Sequence, residues 1–255
     1  MSAPLFLLRI GVDAQRLYSF IERSSTGRRD FDEGYAIHAL FAALFDHRVA
    51  PETRVAPKPF HVGDAMKRTL DVLGYGAHDH HMLAERAKAF GDPLAWGICD
   101  VTRMASKPMP TSFPAATKLG FTVRVCPVRR IAKRGPMTRE RAEVDAFLAR
   151  SWEAPEEPLD REEVYRSWLD AEFAKEGAAQ VLRAKMTSFR LGSLHRRTHG
   201  ENRTAHATQR PDATFEGVLE VGEAASFMRL LARGVGRHRS FGFGMLLLSP
   251  PSRIG

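Results

Sequence analysis

Cysteine is nearly absent from this chain: Cys99 and Cys126 are the only two in 255 residues. That is too few for a disulfide framework, and their separation matches neither a zinc site nor a redox pair. Both read as small buried hydrophobes. Long hydrophobic runs are missing too. The amino-terminal run Leu5-Phe6-Leu7-Leu8 breaks at Arg9, and nothing approaches the roughly 18 apolar residues that span a bilayer. A soluble cytoplasmic protein without a membrane partner is expected. A nucleophile elbow, an HExxH pair and the paired carboxylates of a metal nuclease are all missing, which removes the commonest hydrolase designs.

What is present is positive charge, 38 basic against 30 acidic residues for a net +8, which favours a polyanionic partner. With 44% apolar residues the chain can bury one large core or two small ones, each of about 100 to 130 residues.

Leu5 to Gly11 reads as a buried first strand. From Asp32, placed as a cap, the apolar residues Ile37, Leu40, Phe41 and Leu44 recur at helical spacing. A strand near 70–76, a helix over 79–90 stopped at Gly91-Asp92-Pro93, a strand over 95–104 and a clear strand at 121–128 follow. After a helix near 139–150, the run Glu153-Ala154-Pro155-Glu156-Glu157-Pro158 has linker composition. The domain boundary is expected there, giving domains 1–152 and 153–255. The second half reads as a helix over 160–176, a long strand over 179–194, a basic turn, a strand over 213–221, a helix over 223–233 and a last strand over 243–248. The pattern predicts an α+β protein of two tandem ferredoxin-like (βαββαβ) domains, the second without a recognisable opening strand.

Four clusters bear on chemistry. The run Gly234-Val235-Gly236-Arg237-His238-Arg239-Ser240-Phe241-Gly242-Phe243-Gly244 lies between a helix and the last strand. Its glycines would let backbone approach a phosphate while Arg237, His238 and Arg239 supply charge, unless it is an ordinary glycine-rich turn. Tyr35 and His38 project from one side of the first helix, at the edge of its apolar stripe. A histidine there can move a proton at a ribose hydroxyl, or simply sit on the helix surface. Arg190, His195, Arg196, Arg197, His199, Arg203, His206 and Arg210 crowd one hairpin, a density that suits an RNA stem better than a plain solvated loop. His78-Asp79-His80-His81 has ligand chemistry without ligand spacing, so no metal and no cofactor are expected.

The run from Ala232 to Leu248 resembles the characteristic ending of the CasE-type (Cascade, type I-E) CRISPR endoribonucleases. Tyr35-Ala36-Ile37-His38, Ala56 to Phe60, Ser106 to Pro110, Gly120 to Arg130, Val144 to Leu148 and Val164 to Leu169 resemble the same family in the same order. This resemblance implies paired ferredoxin-like domains and metal-independent cleavage of CRISPR repeat RNA at the 3′ base of its stem-loop. It further implies in-line attack by a 2′-hydroxyl, leaving a 2′,3′-cyclic phosphate and a 5′-hydroxyl. The mature guide RNA stays bound and the enzyme joins the other subunits of the Cascade-type complex. His38 takes the place of the family's catalytic histidine and Tyr35 of the tyrosine one turn before it. Arg190, Arg196 and Arg197 resemble the hairpin that grips the stem, and Arg129 and Arg130 a basic strand end. Gly234, Gly236, Arg237, His238 and Arg239 complete the expected RNA-binding set. The segment Val123 to Arg130 departs from the family's common Arg-x-Arg-x-Asn-Pro pattern. The competing readings are a non-catalytic RNA-binding scaffold, a phosphoesterase using a metal at His78 to His81, and a small-molecule enzyme of the same fold.

Overall fold

A computed structural model describes residues 4–24, 32–47, 49–63, 68–131, 142–197 and 205–251. They fall into two compact units: 1–112 with 231–234 and 238–245, and 113–230 with 235–237 and 246–255.

The first unit runs β1 (Phe6–Asp13), α1 (Ala14–Ser24), α2 (Glu33–Phe45), β2 (Phe60–Val62), β3 (Thr69–Gly76), α3 (His80–Phe90), α4 (Pro93–Trp96) and β4 (Ala105–Pro108). Its sheet has the order β2-β3-β1-β4 with every pairing antiparallel, which is the ferredoxin-like arrangement. Strand alternation turns Leu8, Ile10, Val12, Leu70 and Val72 inward, onto Ile37, Leu40, Phe41 and Leu44 of α2 and Leu83 and Ala87 of α3. Each of the larger side chains contributes about 1.5 to 3 kcal/mol on burial. The Asp32 carboxylate accepts from the Tyr35 amide at 3.1 Å and fixes where α2 begins. Asp79 caps α3 in the same way, through the Met82 amide at 2.9 Å.

The second unit repeats the plan. β5 (Lys118–Val125) is followed by a small hairpin of β6 (Val128–Arg130) and β7 (Glu143–Asp145), then α5 (Ala146–Glu153), α6 (Arg161–Phe173), β8 (Ala179–Arg197), β9 (Ala205–Val221), α7 (Ala224–Arg233) and β10 (Leu246–Ser249). The main sheet has the order β10-β5-β9-β8. Phe121 and Val123 of β5, Phe215 and Leu219 of β9, Tyr165, Leu169 and Phe173 of α6 and Phe227 of α7 are buried in this unit. Gly217 lets the layers close: a Cβ there would fall 2.1 Å from the Arg183 carbonyl oxygen and 2.8 Å from the Phe121 ring.

The sequence-based boundary at 152/153 is corrected by this topology. β5 pairs along its whole length with β9, from Lys118↔Glu220 to Val125↔Ala213, so the unrecognised opening strand of the second domain is the one read as belonging to the first. The proline- and glutamate-rich run 153–158 forms the connection between α5 and α6 within the second unit. The strand expected over 95–104 is also replaced, by α4 and a 3-10 turn at Val101–Arg103, each started by an aspartate cap, Asp92 and Asp100. Among the described residues, no helix is long and apolar enough to cross a membrane.

Candidate active site and nucleic-acid surface

The buried face of α2, Ile37, Leu40, Phe41 and Leu44, orients the helix so that Tyr35 and His38 meet the 3-10 turn Arg239–Phe241 of the same unit. Tyr35 and His38 lie half-buried on this side. The Phe241 ring stacks on Tyr35 at 6.5 Å between centroids and 8° between planes, and meets His38 edge-on at 5.2 Å. Gly34 permits the approach, since a Cβ there would fall 2.1 Å from the Phe241 carbonyl oxygen. Burial pushes the His38 pKa below its ordinary value, and the charges of Lys58 and Arg54 push it the same way, against an opposing pull from Asp46. A histidine so placed is largely neutral at neutral pH and can accept a proton.

The glycine-rich run is shaped by contacts inside each unit. Gly234, at φ +80°, has no room for a Cβ beside Pro59 (2.8 Å) and the Gly244 carbonyl oxygen (2.9 Å). Gly236, at φ +69°, would set a Cβ 2.6 Å from the Trp168 ring. Packing thus accounts for both glycines, where approach to a phosphate was expected. His238 is 7% exposed with φ 60° and Gly234 is buried, so neither presents the open surface that the sequence suggested. Arg237 donates to Glu143 at 2.6 Å and Arg239 to the Arg233 carbonyl at 2.8 Å.

The basic hairpin is longer than expected: β8 and β9 stay paired from Ala179↔Val221 out to Arg197↔Ala205. Arg190 is exposed, and its guanidinium is held by Asp212 at 2.7 Å. Asp212 is 6% exposed and also accepts two bonds from Arg124, both at 2.8 Å. Burial alone would raise the Asp212 carboxyl, but the two guanidiniums outweigh it and leave it below the usual carboxylate range. The side chains of His195, Arg196, Arg197 and His206, and the whole of His199 and Arg203, lie outside the described residues. Arg129 and Arg130 sit on β6, both exposed, with Arg129 paired to Glu153 at 3.1 Å. Residues that sequence reasoning missed are Phe241, Asp212 and Glu143, whose partners lie too far away along the chain to be inferred from spacing.

In the cluster His78 to His81, Asp79 is the α3 cap and His80 Nδ1 meets Ser106 Oγ at 2.8 Å. Among the described residues no group of three or more histidine, cysteine, aspartate or glutamate side chains is arranged to hold a metal ion.

No curated protein matches this chain in sequence. Solved structures do match in fold. A CRISPR endoribonuclease Cse3 bound to a 19-nucleotide RNA superposes with a TM-score of 0.64 at 17% identity, over 97% of this chain and 100% of that one. Thermus thermophilus Cse3, bound to an RNA representing a pre-cleavage complex, gives 0.59 at 18%, over 97% and 100%. Cas6e from Escherichia coli str. K-12 gives 0.54 at 19%, over 96% and 99%. The family model described as "CRISPR associated protein" matches residues 5–250, from the first strand through the glycine-rich run to the last, and the chain belongs to that family.

Proposed function

We propose that this protein is a metal-independent endoribonuclease that cleaves CRISPR repeat RNA at the 3′ base of its stem-loop. It keeps the guide RNA and serves as a subunit of a Cascade-type interference complex. The observation that carries this reading is the half-buried His38 beside Tyr35, flanked by the charges of Lys58 and Arg54, on the helix where the family resemblance expects the catalytic histidine. The endoribonuclease names and the bound RNA of the Cse3 structures support the same substrate class.

In the mechanism, the ribose 2′-hydroxyl upstream of the scissile phosphate attacks phosphorus in line with the departing 5′-oxygen. Neutral His38 takes the proton from that hydroxyl, a role its lowered pKa favours. The new 2′-O–P bond closes a 2′,3′-cyclic phosphate, the P–O5′ bond breaks, and the 5′-oxygen takes up a proton to leave as a hydroxyl. Tyr35 holds the attacking hydroxyl or the phosphate in line. Lys58 and Arg54 place positive charge on the side where the phosphorane-like transition state gathers negative charge. Binding belongs to the second unit. Arg190 of the β8–β9 hairpin, with Arg196 and Arg197 farther along the same strand in sequence, supplies cations for the phosphates of the stem, and Arg129 and Arg130 of the same unit add to them.

The test is cleavage of labelled repeat RNA in excess EDTA by the native chain and by His38→Ala. One cut at the stem base with a cyclic phosphate end, lost in the variant while binding persists, is expected. Tight binding without a cut by either protein would leave an RNA-binding scaffold, and a cut that appears only with added divalent metal would overturn the mechanism.

A further inference from the structure

The glycine-rich run is the most conspicuous motif in the chain, yet its charged and small residues are engaged within the protein. Arg237 is bonded to Glu143 and Arg239 to the Arg233 carbonyl, while Gly234 and Gly236 make room for Pro59 and Trp168. Its one aromatic in the 3-10 turn points elsewhere. Five residues of the run hold positive φ, Gly234, Gly236, His238, Gly242 and Gly244, and two of them, His238 and Gly242, bracket Arg239–Phe241 directly. The Phe241 amide donates to the His238 carbonyl at 2.8 Å, closing the turn. The outcome of this backbone work is a single presented ring, set parallel to Tyr35 and edge-on to His38.

We propose that Phe241 is a positioning residue for the cleavage reaction: it fixes the Tyr35 phenol and the His38 imidazole relative to one another and keeps water from one side of the imidazole. The proposal rests on the reading of His38 and Tyr35 as the catalytic pair. Parallel-offset and edge-on contacts at these separations are the arrangements that aromatic quadrupoles favour, so one ring can orient two neighbours at once. Gly34 is the matching feature on α2, because any side chain there would meet the Phe241 carbonyl. Without the ring, both side chains regain rotamers that water can satisfy, and in-line geometry is lost.

The charges around His38 are left intact by a change at Phe241. Lys58 and Arg54 lie on the segment that follows α2, and Asp46 caps the helix end, where its carboxylate accepts from the Val55 amide at 2.7 Å. Tyr35 is the titratable neighbour on α2 itself. From α3, Arg86 is bound to the carbonyls of Phe45 and Thr53, beyond the far end of α2. From the turn, Arg239 is bound to the Arg233 carbonyl. A shift in His38 titration on changing Phe241 therefore reports lost shielding.

The experiment follows the His38 imidazole by NMR titration in the full-length native chain, Phe241→Leu and Phe241→Tyr, with the signal assigned by its loss in His38→Gln. Single-turnover cleavage of repeat RNA is measured across pH on the same proteins. Removing the ring is expected to raise the His38 pKa toward its ordinary value, move the acid limb of the rate profile up with it, and slow cleavage about tenfold or more. Phe241→Tyr keeps the ring and is expected to restore both. An unchanged titration in a folded Phe241→Leu protein overturns the inference, as does an equal loss in Phe241→Leu and Phe241→Tyr. Because the titration needs no turnover, it decides the role of Phe241 even if the native protein fails to cut, a result that would sink the nuclease reading alone.

Discussion

In the first unit the β2–β3 ladder holds three residue pairs, Phe60↔Gly74 to Val62↔Val72, whereas its counterpart in the second unit, β8–β9, runs from Ala179↔Val221 to Arg197↔Ala205. The two units share one strand order and one succession of elements, so the fold cannot account for the difference. Where the ladder is short, the candidate catalytic pair sits on a helix: α2 is apolar enough to bury most of its length, and Tyr35 and His38 remain half-exposed at its edge. Where the hairpin is long, the edge strand carries Arg183, Lys185 and Arg190 exposed. One topology thus carries a half-buried histidine on a helix in one unit and a long hairpin with exposed Arg190 in the other, and under the proposed function these would serve proton transfer and binding respectively.

That division is broken or sharpened most strongly by His38→Ala, expected to slow single-turnover cleavage by about 10² to 10⁴-fold while RNA affinity, read by filter binding, stays within a factor of about two. A matched loss of affinity would mean that the two roles are not separate. The next largest effect comes from the same added methyl in each unit, since a Cβ at Gly34 and one at Gly217 would each fall 2.1 Å from a carbonyl oxygen. Gly34→Ala and Gly217→Ala are each expected to cost about 1 to 3 kcal/mol in urea unfolding. Only Gly34→Ala should slow cleavage by the folded protein, and only Gly217→Ala should weaken binding.

Asp212→Asn comes third, at about 1.5 to 2 kcal/mol at neutral pH, because a buried acceptor of three charged hydrogen bonds is lost. The Asp212 carboxyl is held below its unfolded value, so its contribution is full above the unfolded carboxylate pKa and fades as pH falls through the folded one. Thermal melts of the native chain and Asp212→Asn should therefore differ most near neutrality and converge in acid; curves that stay parallel would count against the pairing. The smallest effect belongs to Arg190→Ala, about tenfold in affinity with the salt slope reduced by about 1. A change in cleavage rate at saturating protein would be the unexpected result.

Helix starts were legible in the sequence because they are local events. Asp32, Asp79 and Asp160 each accept from an amide three residues on, a signal that needs no knowledge of the rest of the chain. The boundary was misread because proline and glutamate at 153–158 have linker composition even in a connection inside one unit, and because β5 finds its partner β9 some ninety positions away. The α1 helix was missed although Leu17, Phe20 and Ile21 keep helical spacing, because its eleven residues carry only that short apolar stripe, flanked by Arg16 on one side and Glu22 and Arg23 on the other. His38 and Tyr35 could be singled out as candidates from their spacing and the family resemblance. The pairing of Arg190 with Asp212 and of Arg237 with Glu143 could not, because each joins elements brought together only by the sheet. The packing of the glycines was illegible for the same reason: a run of glycines reads as open backbone until the Pro59 and Trp168 side chains that fill the space are seen.

The stacking of Tyr35 on Phe241 joins two positions 206 residues apart in the chain. A ribosome adding about 5 to 20 residues per second makes the first of them roughly 10 to 40 seconds before the second. For that interval the nascent protein carries its histidine without the ring that packs edge-on against it. The basic hairpin, made earlier than the turn, is complete while the histidine still waits. If the proposed roles hold, such a chain would gain the means to hold RNA before it gains the means to cut it, an order of events written into the sequence of synthesis.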